Sequence, residues 1–207
     1  MDQPAGPFPS LVIRAETLVP RGSFAEAQAQ FLDVDPQLTA ALDAKLEKQA
    51  VGVVAHFYMD VELQGVLSAC HWPHVRVSDS LKMADEAIEM AEAGMRSIVV
   101  LGVDFMSENV RAMLDASGHK DVAVYRVTTD PIGCSLAESA KKLEYGAFLT
   151  QAAQVPRSLH VIYINTSLDV KAQAHNLVPT ITCTSSNVVQ TVLQAAAQVP
   201  DISVWFG

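Results

Sequence analysis

The sequence predicts an α/β fold of repeated three-layer α/β/α units with short parallel sheets, one unit complete and a second truncated. Three observations carry this. Short apolar, β-branched runs alternate with segments of helical period, the pattern of parallel strands covered on both faces. Five of these runs stop at polar or nucleophilic groups: Val53-Val54-Ala55-His56-Phe57-Tyr58, Val77-Ser78-Asp79-Ser80, Gly133-Cys134-Ser135-Leu136, Tyr163-Ile164-Asn165-Thr166-Ser167 and Cys183-Thr184-Ser185-Ser186-Asn187. The spacing also recurs. Ser80 to Gly102 and Ser185 to Gly207 each span 22 positions, and the two serines stand 105 apart (185 less 80), while His56 and Asn165 differ by 109.

Taken in order, residues 1–49 read as a helical lead-in or linker. Ser23-Phe24-Ala25-Glu26 is a capping box that predicts a helix to about Leu32, and Asp35 with Pro36 at the first helical position predicts another to about Gln49. Strands follow at 51–57, 75–78, 97–103, 122–127, 160–165, 179–183 and 202–206. Leu81, Ala84, Ala87, Ile88 and Ala91 recur at helical spacing with charged residues on the other faces, which predicts an amphipathic crossover helix. Val188, Val189, Val192, Leu193 and Ala196 predict its counterpart. The first unit is expected over 50–140 and the second, truncated one over 141–207.

Half of the 207 residues are hydrophobic and 18% are charged, so the chain has the material for a sizeable core. A formal charge of -9 and a pI near 5.0, with no Lys/Arg cluster, argue against nucleic-acid binding. The longest apolar runs fall far short of the ~20 residues a membrane-spanning helix needs. Three cysteines make no disulfide framework and leave at least one thiol free. Residues 1–9 hold three prolines and no arginine, so neither a signal nor a transit peptide is expected there.

In sheets of this kind ligands bind beyond the carboxyl ends of strands, where helix N-termini converge. Ser80 and Ser185 each stand between a strand and the next helix; they either cap that helix or, with its free N–H groups, face a phosphate or carboxylate. His56 and Tyr58 are two apart on one strand end, so a regular strand would turn both to one face and Phe57 to the other. Imidazole and phenol there could bind a carboxylate or exchange protons with an enol or imine; a structural hydrogen bond is the plainer alternative. Cys134 follows the turn signal Asp130-Pro131-Ile132-Gly133 and precedes a second capping box, Ser135 to Glu138. A thiol at a helix N-terminus is favoured as thiolate, the form that ligates iron, although a buried inert thiol would read the same way. Asp104 and Glu108 are expected to complement a helix dipole, with Phe105 and Met106 packed inside. Cys70, His71 and His74 fit no standard zinc spacing and are read as a surface loop.

In order and wording, the five motifs over about residues 50–207 resemble quinolinate synthases, which condense iminoaspartate with dihydroxyacetone phosphate on the way to NAD. The resemblance implies three similar units around a pseudo-threefold axis, each giving one cysteine to a [4Fe-4S] cluster whose open iron acts as a Lewis acid. It makes Cys134 the first cluster ligand, the one of three present here, with Met106 nearby and Cys183 a non-ligand. It assigns His56 and Tyr58 to the substrate pocket as the catalytic pair, with Tyr163 and Asn165 as a second polar pair and Ser80 and Ser185 as anion binders. Ala-His-Phe-Tyr-Met-Asp, Ser78 and the longer segment between His56 and Ser80 resemble the plant and green-algal branch. That branch implies a plastid protein with a sulfur-transfer domain, a cysteine desulfurase as partner, and a homodimer as a further expectation. The expected chain is therefore a fragment, lacking the third unit and inactive alone. A non-catalytic anion-binding module that associates with a full-length partner is the alternative, and a converged phosphate-binding domain a weaker one.

Overall fold

The computed structural model describes residues 10–15, 18–29 and 34–207. It opens with an antiparallel pair, β1 (Ser10–Ile13) and β2 (Leu18–Arg21), followed by helix α1 (Ser23–Ala29). The lead-in is therefore not helical throughout; strands of four residues are too short to declare themselves by alternation. Ser23 is already the first helical residue, and the Glu26 N–H reaches the Gly22 carbonyl at 3.0 Å. Gly22, at φ 90°, takes the entry that the capping box assigned to Ser23. The expected end of that helix near Leu32 lies outside the described residues.

Helix α2 (Pro36–Gln49) starts where the sequence places it: Asp35 accepts the Gln37 N–H at 2.8 Å, and Pro36 sits where no N–H is needed. The chain then runs β3 (Val51–His56), α3 (Val61–Ala69), β4 (Val75–Ser78), α4 (Lys82–Glu92), β5 (Ser97–Leu101), α5 (Asp104–Ala116) and β6 (Ala123–Arg126). After the short α6 (Ser135–Ser139) come α7 (Leu143–Ala153), β7 (Ser158–Tyr163), α8 (Leu168–Leu177), β8 (Thr180–Cys183), α9 (Val188–Gln198) and β9 (Ser203–Phe206). All seven expected strands form, each end within two residues of its predicted place.

They make two all-parallel sheets, of order β4-β3-β5-β6 and β8-β7-β9. Strand β3 is central and buried on both faces from Gly52 to His56, which is why it reads as an unbroken apolar run. Val54, Met83, Ala87, Met90, Ile98, Val110 and Leu114 form the main core between the first sheet and helices α4 and α5.

The backbone dates the repeat more closely than the motifs do. Ala50 and Arg157 both take positive φ just before the central strands, and Gly94 and Asp201 do so just before β5 and β9; each pair is 107 positions apart (157 less 50, 201 less 94). His56 pairs with Ser78 as Tyr163 pairs with Cys183, so His56 corresponds to Tyr163 and Tyr58 to Asn165. His56 and Asn165, 109 apart, are therefore not equivalent positions. Helix α7 precedes β7 as α2 precedes β3.

The segment around Cys70 is not a free surface loop. It caps α3, and the Asp43 carboxylate of α2 accepts the N–H groups of His71 at 2.7 Å and Trp72 at 3.1 Å. Trp72 in turn donates its indole N–H to the Val51 carbonyl at 2.9 Å and packs beneath the sheet.

Candidate functional site

His56, Tyr58, Ser80, Cys134, Tyr163, Asn165 and Ser185 all line one cavity of about 400 Å³. They arrive from the carboxyl ends of β3, β4, β7 and β8 and from the loop ahead of α6. Parallel strands put every such end on one side of the sheet, and both sheets contribute.

His56 is buried, and its Nδ1 accepts the Tyr58 N–H at 3.2 Å. Burial pulls the imidazole below its usual range, opposed by the charge of Asp79, so the ring is held neutral with its proton on Nε2. A neutral donor is thus fixed beside an exposed phenol: Tyr58 is 75% exposed, its ring 4.6 Å from that of His56. Strand parity fails here. Strand β3 ends at His56 and the chain turns at once, with Met59 N–H on the His56 carbonyl at 3.0 Å. Phe57 therefore stacks on His56 at 4.7 Å and lines the same cavity, rather than facing away.

Neither serine caps its helix. Asp79 does that work for α4, accepting the N–H groups of Leu81 at 2.9 Å and Lys82 at 3.0 Å. At α9, the Asn187 side chain turns back to the Thr184 N–H at 2.8 Å, and the Thr184 hydroxyl pairs with Ser186 at 2.7 Å. The Ser80 and Ser185 hydroxyls have no partner among the described residues and border the cavity. Hydroxyls left free beside helix N-termini suit an anion.

Cys134 is the N-cap of α6, extended at φ -133°. Burial would raise its thiol, but the N–H groups of Ala137 and Leu136 and the Asn165 amide, whose Nδ2 donates to Sγ at 3.4 Å, outweigh burial and lower it. Cys183 is 1% exposed inside β8, and burial raises its thiol; Cys70 is pushed up to about 11, first by burial and then by Asp43. Of the three cysteines, only Cys134 lines the cavity.

Several functional contacts escaped the sequence reading. Asp104, at the start of α5, accepts the Ile132 N–H at 3.2 Å, pairs with Arg126, and sends its own N–H to the Ile132 carbonyl at 3.0 Å. It thus pins the loop that carries Cys134. Phe105 and Met106 are buried as expected, and Met106 forms part of the cavity wall. Asp79 and Thr184 also line it. An Asp two residues before a helical run was the available signal for Asp79.

Fold and cavity together define an α/β protein whose parallel-strand ends gather hydroxyls, an imidazole and a thiol around one cavity. A family described as quinolinate synthetase A protein matches residues 40–205, and the chain belongs to that family. It is 59% identical over 209 residues to "Quinolinate synthase, chloroplastic" of Oryza sativa subsp. japonica, covering 99% of this chain and 29% of that protein. The corresponding protein of Arabidopsis thaliana is 58% identical over 97% of this chain and 28% of its own length. "Quinolinate synthase" of Microcystis aeruginosa is 32% identical over 81% of this chain and 45% of its own. The chain thus spans less than a third of its plant relatives. No helix among the described residues is long and apolar enough to cross a membrane.

Proposed function

We propose that this chain supplies one wall of a quinolinate synthase that joins iminoaspartate to dihydroxyacetone phosphate in plastids, and that it makes no quinolinate alone. The observation that carries the reading is the meeting of seven residues, scattered from His56 to Ser185, around one cavity in a chain of this family. The names of the plant relatives support the compartment.

In this reading His56 and Tyr58 exchange protons with the condensing enol or imine, the neutral imidazole donating from Nε2. Ser80 and Ser185 hold carboxylate or phosphate with the N-terminal ends of α4 and α9. Tyr163 and Asn165 orient the dicarboxylate from the second sheet. Cys134 fits one corner of a [4Fe-4S] cluster, because it lines the cavity and the N–H groups around its sulfur favour the thiolate, the ligating form. Cys70 and Cys183 do not fit the other corners, being held away from it. When bound, such a cluster would supply a Lewis-acidic iron for substrate oxygen or nitrogen. The first repeat, its truncated companion, a homodimer and a cysteine desulfurase as sulfur donor belong to the same proposal.

A binding-module role draws support from exposed apolar groups around the second sheet: Val189 and Leu193 of α9 and Phe206 of β9 are 69%, 61% and 56% exposed. Anaerobic cluster reconstitution, followed by mass spectrometric assay for quinolinate, separates the two. Quinolinate from a longer polypeptide containing these residues, lost in Cys134→Ser together with the visible iron–sulfur absorbance, is the expected result. Quinolinate from the 207-residue chain alone, or undiminished activity in Cys134→Ser, would overturn the proposal.

A further inference from the structure

Lys171, in the first turns of α8, is a cation turned inward. Its ammonium donates to the Ile164 carbonyl at 2.9 Å, the Thr166 carbonyl at 2.7 Å and Asn109 Oδ1 at 3.1 Å. Three acceptors match the three donors of an ammonium, so nothing is left for solvent. The same Nζ lies 5.7 Å from the centre of the Phe105 ring.

The two carbonyls flank Asn165. They belong to a tight turn in which the Thr166 N–H reaches back to Ile164 O at 2.7 Å, and the Thr166 hydroxyl donates to Tyr163 O at 3.1 Å. Asn165 stands at the centre of that turn, its amide on the Cys134 sulfur. Asn109 and Phe105 lie on α5, in the first repeat, whose Glu108 also accepts the Leu168 N–H at the start of α8. Asn109 is 7% exposed, and its Nδ2 has no partner among the described residues. An unpaired buried amide nitrogen is costly, so Asn109 is placed there for its oxygen. Helix α5 is thus anchored to both halves of one contact: Asp104 fixes the loop that ends at Cys134, and Asn109 with Lys171 fixes the turn that presents Asn165.

We propose that Lys171 is a positioning residue, which ties the backbone on both sides of Asn165 to α5 and so holds the Asn165 amide against the Cys134 sulfur. Its consequence for catalysis rests on the reading of Cys134 as a cluster ligand; the clamp itself does not.

The test is a double-mutant cycle on the purified, iron-free chain, reading the iodoacetamide alkylation rate of Cys134 by peptide mapping, with Cys70 as internal reference. Lys171→Met should change the Cys134 rate by about threefold, in the same direction as Asn165→Ala, the size expected for one modest hydrogen bond. In the Asn165→Ala background Lys171→Met should add nothing. Independent, multiplying effects, or an unchanged rate in Lys171→Met, would overturn the proposal. Should Lys171→Met lose its cooperative melt, Asn109→Ala removes one acceptor; a smaller shift that vanishes with Asn165→Ala supports the clamp, and one that persists overturns it. Iron content of the longer polypeptide reports separately on the cluster: coupling without iron at Cys134 would sink the cluster reading and leave the clamp standing.

Discussion

Acid should unlock the second sheet through His160. This side chain is fully buried in β7, three residues before Tyr163, and lies against Tyr145 and Phe148 with ring centres 5.8 and 6.2 Å away. Its Nδ1 is 3.3 Å from Thr180 Oγ1, and its Nε2 is 3.0 Å from the Tyr145 hydroxyl. Thr180 already spends its own proton on the Val178 carbonyl at 2.8 Å, so Nδ1 donates and Nε2 accepts from Tyr145. Burial lowers the imidazole from 6.5 to about 4. The unfolded chain therefore binds the proton more tightly, and stability that is full above pH 6.5 is lost as pH falls toward 4. At ~1.4 kcal/mol per pH unit, acidification from pH 7 to 5 should remove about 2 kcal/mol through this one group. Urea melts of wild type and His160→Gln at pH 7, 6 and 5 measure it. The variant starts less stable at pH 7 but loses less on acidification, and the difference between the two slopes isolates His160. Parallel stability–pH curves for the two proteins would refute the reasoning.

Asp79→Ala should cost ~1 kcal/mol, the worth of a lost N-cap, and should lower the His56 imidazole further, while Ser80→Ala leaves the thermal midpoint nearly unchanged and weakens phosphate binding. Calorimetric titration with phosphate checks the pair, and an equal stability loss in both would return Ser80 to a capping role. Asp43→Ala should cost about 1–2 kcal/mol in urea melts, because two N–H groups at Cys70–Trp72 lose their acceptor, and should bring the Cys70 thiol down from about 11. An unaltered Cys70 titration would show that burial alone sets it. Asp104→Ala should speed hydrogen exchange at Ile132 with a loss of only ~1 kcal/mol, since the Arg126 pair is partly solvated. Unchanged Ile132 protection would mean that the Cys134 loop is held by other contacts.

Most of the fold was legible in the sequence because its signals are local. Apolar runs marked the seven strands, Asp35-Pro36 marked the start of α2, and each run's last polar residues marked where a ligand would meet the sheet. Parallel strands share a direction, so residues at their carboxyl ends gather without further instruction; that is why all seven candidate residues line one cavity. Tertiary structure decided the rest. The turn after His56 overrode strand parity and brought Phe57 into the site, because alternation holds only while the strand lasts. Asp79 and Asn187 took over roles at the helix starts that the serines equally suited, since a cap depends on distances of tenths of an ångström and not on residue type. The Lys171 clamp joins Asn109 to Ile164 across 55 positions (164 less 109) by way of a third residue, and no periodicity or motif records a contact that exists only once two helices have packed.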